Sequence, residues 1–267
     1  MTTGLRELVD RRCTGALRMV DVNTGLRVTE GLRVAADGVR LSPNRSGDFV
    51  VMGVRGLEAH RRAFESPPVT PAAESIAVEV TVEDPAGRYL PRLATVRFPR
   101  DPVIANAVAE DSLFQAVRVP LHVAPAGPVP IGAAVLRATV VSDPDDRPIG
   151  GALLRVQVGG NVLARGVSEW RGRLRGEAVV AVPGIPITTW GDGNGAPGEG
   201  EEEAPVMVHT VPATVEVIVD PAFGPDADDV PDPDAVEAVA EGLLRRSFDV
   251  ELQSGRTLVR RLAIPLP

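Results

Sequence analysis

Gly193, Gly195 and Gly198 stand in the stretch GDGNGAPGEG (191–200) as a literal G-x-G-x-x-G, the spacing by which glycine-rich turns let a backbone approach a pyrophosphate. That chemistry requires the glycines to join a strand directly to a helix whose first N–H groups hold the anion. Here the stretch follows the strand-like AVVAVPGI and precedes the strand-like VEVIVDP, Pro197 removes one N–H, and Glu199, Glu201, Glu202 and Glu203 would repel phosphate. The reading is an acidic surface insertion, residues 191–204, whose composition predicts disorder in the free chain.

A second set of oxygen ligands lies in DPAFGPDADDVPDPDAVEA, where Asp226, Asp228, Asp229, Asp232 and Asp234 could in principle hold calcium. The run lacks the D-x-D-x-D-G spacing and the closing Glu of a calcium loop. It fits a helix start better: Asp232 as cap, Pro233 at the first position, Asp234 and Glu237 toward the positive end of the dipole, and Val236, Val239, Leu243 and Leu244 inward. Arg245 and Arg246 would then complement the far end. His60, His122 and His209 are distant from one another and none stands in H-x-x-x-H. His60 on a basic helix face and His122 at an outward or edge strand position read as surface residues, not zinc ligands. There is no G-x-S-x-G elbow, and Cys13 has none of the neighbours of a nucleophile motif. No catalytic, cofactor-binding or metal-ligating residue is assigned, and no cofactor is expected. Trp170 reads as core; Trp190, beside the acidic insertion, fits equally a core position or an exposed contact for carbohydrate or protein.

The elements that would carry these residues are short. Gly 27 and Pro 25 in 267 residues punctuate the chain heavily, while 44% hydrophobic residues suffice for a core. Aromatics are 3%, so Val, Leu and Ala must fill it, and recurring Val runs favour strands. The formal charge of −8 disfavours nucleic acid and anionic lipid as partners. All 28 basic residues are Arg, which suits bidentate carboxylate pairing, although a GC-rich coding bias is the better reading. The single Cys13 forms no internal disulfide, the first twenty residues lack an apolar secretion core, and no window approaches a membrane span, so a cytoplasmic protein is expected.

Leu5, Leu8 and Val9 give an opening helix over 4–12; strands follow in ALRMVDV, GLRVTEGLRV and DFVVMGV, and a second helix fits 57–65. Ile76, Val78, Val80 and Val82 alternate with outward residues over 76–84, a helix fits 102–112, and a strand fits 114–123. APAGPVPIG at 124–132 reads as a linker, giving an N-terminal sandwich over 1–126 and a C-terminal one over 127–267. The halves look like a tandem duplication. ALRMVDVNTG corresponds to VLRATVVSDP, GLRV to ALLRV, DFVVMGVRG to EAVVAVPGI, VEVTVEDPAG to VEVIVDPAFG, and VRVPL to LAIPL, in order and with an offset growing from about 120 to about 145 residues.

The run RPIGGALLRVQVGGNVLARGVSEWRGRLRGEAVVAVPG at 147–184 resembles the carboxypeptidase-regulatory-like, or transthyretin-like, β-sandwich family. In the first half, Asn44, Gly47 and Phe49 match that family's turn-then-strand signature; in the second, Ser168-Glu169-Trp170-Arg171-Gly172 is followed by extra residues before the strand. The resemblance implies an all-β chain of two tandem transthyretin-like or Ig-like β-sandwich domains with short peripheral helices, and domains that support or attach other parts without being enzymes. The whole chain is also similar to accessory proteins of bacterial contractile injection systems, the phage-tail-like particles with sheath, tube, cap and baseplate. That similarity implies a non-enzymatic assembly protein, a cap or baseplate adaptor, multimeric with protein partners and residing in the cytoplasm or in particles released on lysis. A glycan- or protein-binding module around Trp190, or an enzyme of unrecognised type, are the other classes the sequence allows.

Overall fold

A computed structural model describes residues 12–63, 66–186, 210–221 and 229–266. They form fourteen strands and two short α-helices, and the chain is all-β. The described chain divides into two compact units. One comprises Met1–Val20, Arg27–Glu83 and Leu93–Val119; the other Asp21–Leu26, Asp84–Arg92 and Pro120–Pro267. The division is not a single chain position, because the second unit takes two short segments from the first half of the sequence. Residues 124–132, expected as linker, lie within it. The N–H of Ala124 donates to the Arg88 carbonyl at 2.9 Å, and a Cβ added at Gly127 would lie 2.3 Å from that carbonyl oxygen.

The strands lying wholly or mainly in the first unit are β1 (Gly15–Asp21), β2 (Arg33–Ala36), β3 (Val39–Pro43), β4 (Phe49–Val54), β5 (Ile76–Glu83), β6 (Arg92–Phe98) and β7 (Val117–Leu121), with α1 (Glu58–Arg62) after β4; the end residues Asp21, Arg92, Pro120 and Leu121 fall in the second. They make two sheets, β3-β4-β1-β7 and β2-β5-β6. In β5 the predicted alternation holds: Val78, Val80 and Val82 are buried while Ala77, Glu79 and Glu83 face solvent, as the period of two requires. The turn before β4 also follows its sequence. The Asn44 side-chain oxygen accepts from the N–H groups of Ser46 and Asp48, both at 2.9 Å, and Gly47 takes φ +80 where a Cβ would meet Thr29 at 2.6 Å.

The expected helix over 102–112 is reduced to one 3-10 turn at Ile104–Asn106. Asp101 accepts from the Val103 N–H at 2.9 Å and from the Asn106 amide at 2.6 Å, offering the chain a local alternative to helix. Ile104 and Val108 stay 80% and 90% exposed, so no buried apolar face rewards helix formation.

The second unit contains β8 (Ala134–Asp143), β9 (Leu153–Val158), β10 (Asn161–Val167), β11 (Glu177–Val182), β12 (Val211–Val219), β13 (Leu244–Leu252) and β14 (Thr257–Pro265), with α2 (Pro233–Ala238) before β13. Its sheets are β10-β9-β12-β13 and β11-β8-β14, β14 lying parallel to β8. Their facing sides close over a core containing Leu136, Leu154, Val180, Val217 and Leu262, each buried side chain worth roughly 1.5–3 kcal/mol against exposure. A second apolar layer, with Leu90, Leu153, Trp170, Ile218, Val236 and Ala240, lies on the other side of β9 and β12 under α2.

Among the described residues each unit therefore has seven strands in the same chain order. The first strand lies between the fourth and the seventh, and the second, fifth and sixth are neighbours, in both. The five sequence matches fall on equivalent strands of the two sets: β1 with β8, β2 with β9, β4 with β11, β5 with β12 and β7 with β14. One strand differs. β3 joins the sheet of β4, whereas its counterpart β10 joins the sheet of β9.

Candidate functional site

The G-x-G-x-x-G stretch, the insertion 191–204, Trp190, His209, Asp226 and Asp228 lie outside the described residues. The described elements on either side of the insertion are strands, β11 and β12. Asp232 caps α2 as its sequence suggests: its side chain accepts from the N–H groups of Asp234 and Ala235 at 3.0 and 3.2 Å, and Pro233 opens the helix. The helix is shorter than expected. Val236 is buried but Val239 is 55% exposed, and Arg245 and Arg246 belong to β13 instead of the helix end.

The same cap is part of a buried ionic cluster in the second unit. Arg92, 1% exposed, donates to the Pro120 carbonyl at 2.6 Å, to Asp234 Oδ2 at 2.6 Å and to Asp232 Oδ1 at 3.3 Å. A guanidinium removed from water needs such a set of acceptors to offset its lost hydration. Across the sheet a row of charges continues it. Arg165 on β10 stands opposite Arg155 on β9, a like-charge pairing that would repel; Glu237 of α2 lies 3.4 Å from both guanidiniums. Arg155 also meets Glu216 on β12 at 3.0 Å, and Glu216 meets Arg245 on β13 at 3.5 Å. The row fastens α2 to all four strands.

A second fastening comes from the segment 21–26. Asp21 Oδ1 accepts from the N–H groups of Asn23 and Thr24, at 3.0 and 2.8 Å, and shapes a tight turn. The turn presents the Asn23 side-chain amide to the backbone of Arg165, donating to its carbonyl at 2.9 Å and accepting from its N–H at 2.7 Å. The amide thus occupies the edge of β10 as a strand residue would. Burial, then the Asp21 carboxylate, pushes the Tyr89 hydroxyl up to about 12, so it remains a donor to Asp21 Oδ2, 3.3 Å away.

His122 corrects its surface assignment: it is 3% exposed. The segment 88–90 runs beside 122–124, with the Leu90 N–H on the His122 carbonyl and a bridge between Tyr89 and Val123, so the expected open edge is covered. Burial first, then the charges of Arg92 and Arg165, lowers its pKa to about 3. The imidazole is neutral in the fold. Above its ordinary pKa near 6.5 neither state binds the proton; as pH falls below about 6.5 only the unfolded chain takes it up, and stability declines by about 1.4 kcal/mol per pH unit until about 3. Urea midpoints measured from pH 6.5 to 4.5 should therefore fall more steeply for the native chain than for His122→Gln. Parallel lines would show that His122 is reachable by protons in the fold.

His60 is likewise buried, at 9% exposure. It stands three residues after Leu57 on one face of α1, and Leu57 is 1% exposed, so the helix turn carries both inward. There it lines an apolar crevice of about 130 Å³ in the first unit with Cys13, Leu57, Pro99, Arg100 and Leu113. The other walls include Pro67, Pro68 and Pro71. His60 Nδ1 and Arg100 Nε are buried without a hydrogen-bond partner. Two other donors of Arg100 reach Glu74, 3.0 Å away, and the Glu110 carbonyl.

The sequence signals for Arg92, Asn23 and the crevice were absent or faint, because their partners lie far along the chain. Only the three-residue spacing of Leu57 and His60 could have placed the latter inside. Among the described residues no group of three His, Cys, Asp or Glu side chains could hold a metal ion. Compared with known proteins, the chain matches no family model and no curated protein.

Proposed function

We propose that the protein is a non-enzymatic structural or assembly protein, a cap or baseplate adaptor of a contractile, phage-tail-like injection particle. The observation that carries this reading is the pair of long sheet edges in the second unit. Among the described residues β13 is joined only to β12 and β14 only to β8, each over nine residues. Such edges offer rows of backbone donors and acceptors to a neighbouring chain. Exposed Arg246, Arg260 and Arg261 on them would select partners by charge. Val69, Ile104 and Val108 of the first unit, 91%, 80% and 90% exposed, add apolar contact area of the kind interfaces use. The buried charges described above are held in pairs, an arrangement suited to rigidity. Partners under this reading are sheath, tube, cap or baseplate proteins, and the protein is multimeric in the assembly.

The test is gentle purification of the tagged protein from its native host, with negative-stain electron microscopy and mass spectrometry of the eluate. The expected outcome is sheathed particles bearing the protein at one end. A clean monomer without such partners overturns the reading and leaves the binding-module class to be tried with glycans and tryptophan fluorescence.

A further inference from the structure

The two sheets of the second unit meet differently at their two flanks. At one, β10 rests on β11, and a Cβ added at Gly166 would lie 2.6 Å from Val180 Cγ2. At the other, β13 and β14 are the last strands of their sheets among the described residues, so every second residue of β13 points its N–H and C=O away from β12. Leu244, Phe248, Val250 and Leu252 of β13 pack toward the core, while Arg245, Ser247, Asp249 and Glu251 are exposed on the opposite face. An inward charge is a common block to edge pairing, and Arg246 is placed to be one. Its guanidinium is instead drawn back onto its own sandwich, 5.4 Å from the Phe248 ring centre and donating to the Ala263 carbonyl of β14 at 3.0 Å.

The charge of the strand changes sign along its length. Arg245 and Arg246 precede its midpoint, Phe248, and Asp249 and Glu251 follow it. Such a strand is complementary to itself when reversed. Antiparallel pairing about Phe248 uses all nine residues and keeps the core faces of both copies on one side. It sets Arg245 opposite Glu251 at both ends, Ser247 opposite Asp249 and Leu244 opposite Leu252. Centring on Asp249 would instead set carboxylate against carboxylate. We propose that β13 pairs edge to edge with β13 of a second copy about a two-fold axis at Phe248, an isologous contact that continues the sheet β10-β9-β12-β13 into its counterpart. The inference names the occupant of one edge and does not rest on the particle reading.

The test is sedimentation velocity of the purified full-length chain over a wide range of concentrations. The native chain is expected to be a dimer that dissociates on dilution and more readily with added salt. Arg245→Glu and Glu251→Arg should each weaken it by about tenfold, because both copies of the pair turn from attraction to repulsion. Mixing the two single variants should restore dimers, since one strand then carries carboxylates at both positions and the other guanidiniums. Far-UV circular dichroism identifies a variant that has unfolded; if Arg245→Glu does so, with Glu216 3.5 Å away, Glu251→Arg decides alone. A monomer at every concentration overturns the proposal. So does a dimer that the folded single variants leave unweakened, or one that their mixture fails to restore. The measurement uses the isolated chain, so its failure is distinct from a failure to find particles in the host.

Discussion

Arg92→Ala should lower the unfolding free energy by about 1.5–3 kcal/mol, the usual scale for losing hydrogen bonds made by a charged group. The loss is large because three acceptors depend on one guanidinium. The Pro120 carbonyl, Asp232 and Asp234 all receive its hydrogen bonds, and Asp232 is at the same time the cap of α2. Truncation therefore removes one guanidinium from both carboxylates at once and loosens the helix start. Asp232→Ala alone should cost less, about 0.5–2 kcal/mol for the cap together with its share of the pairing, because Asp234 still meets Arg92 at 2.6 Å. Urea unfolding of both single variants and the double one gives the coupling. If the double variant equals the sum of the singles, Arg92 and the cap act independently and the cluster is misdescribed.

The second large effect is expected at Trp170. It is among the largest fully buried side chains and packs with Leu153, Ile218 and Val236 between the sheet and α2. Trp170→Ala should cost about 3–5 kcal/mol. Its neighbour Gly150 offers a contrasting experiment. A Cβ there would lie 2.3 Å from Trp170 Cα and 2.7 Å from its Cβ, so Gly150→Ala should destabilise by about 1–3 kcal/mol through overpacking. The obstructing atoms survive in alanine. The Trp170→Ala background should therefore not rescue Gly150→Ala, and rescue would mean that the indole, not the backbone, is the obstacle.

What the sequence disclosed was whatever a few consecutive residues decide. The alternation of β5, the Asn44–Gly47 turn and the Asp232 cap all depend on partners within about four positions, and each was legible. The five colinear matches were legible too, and they fall on strands that hold equivalent places in the two sets. The burial of His122 was not: it depends on the segment 88–90 arriving alongside, which no local pattern announces. Arg92 and Asp234 are 142 residues apart, and Arg looks the same in sequence whether it ends in water or in a carboxylate pair. The helix expected over 102–112 failed for the opposite reason, since its periodicity had no apolar surface to meet. No site residue was assigned in advance, and the crevice draws its walls from positions 13 to 113, beyond any motif.

The strand that changes sheets distinguishes two units that their shared strand order would leave alike. Among the described residues, with β3 beside β4, the first unit leaves its second strand at a sheet border; with β10 beside β9, the second unit leaves its fourth strand there instead. The borders formed by the sixth and seventh strands recur in both, so part of each unit is interchangeable and part is not. A partner that reads the recurring borders could bind twice to one chain. A partner that read the differing ones would bind once, to one unit and not to the other, although the two share one strand order.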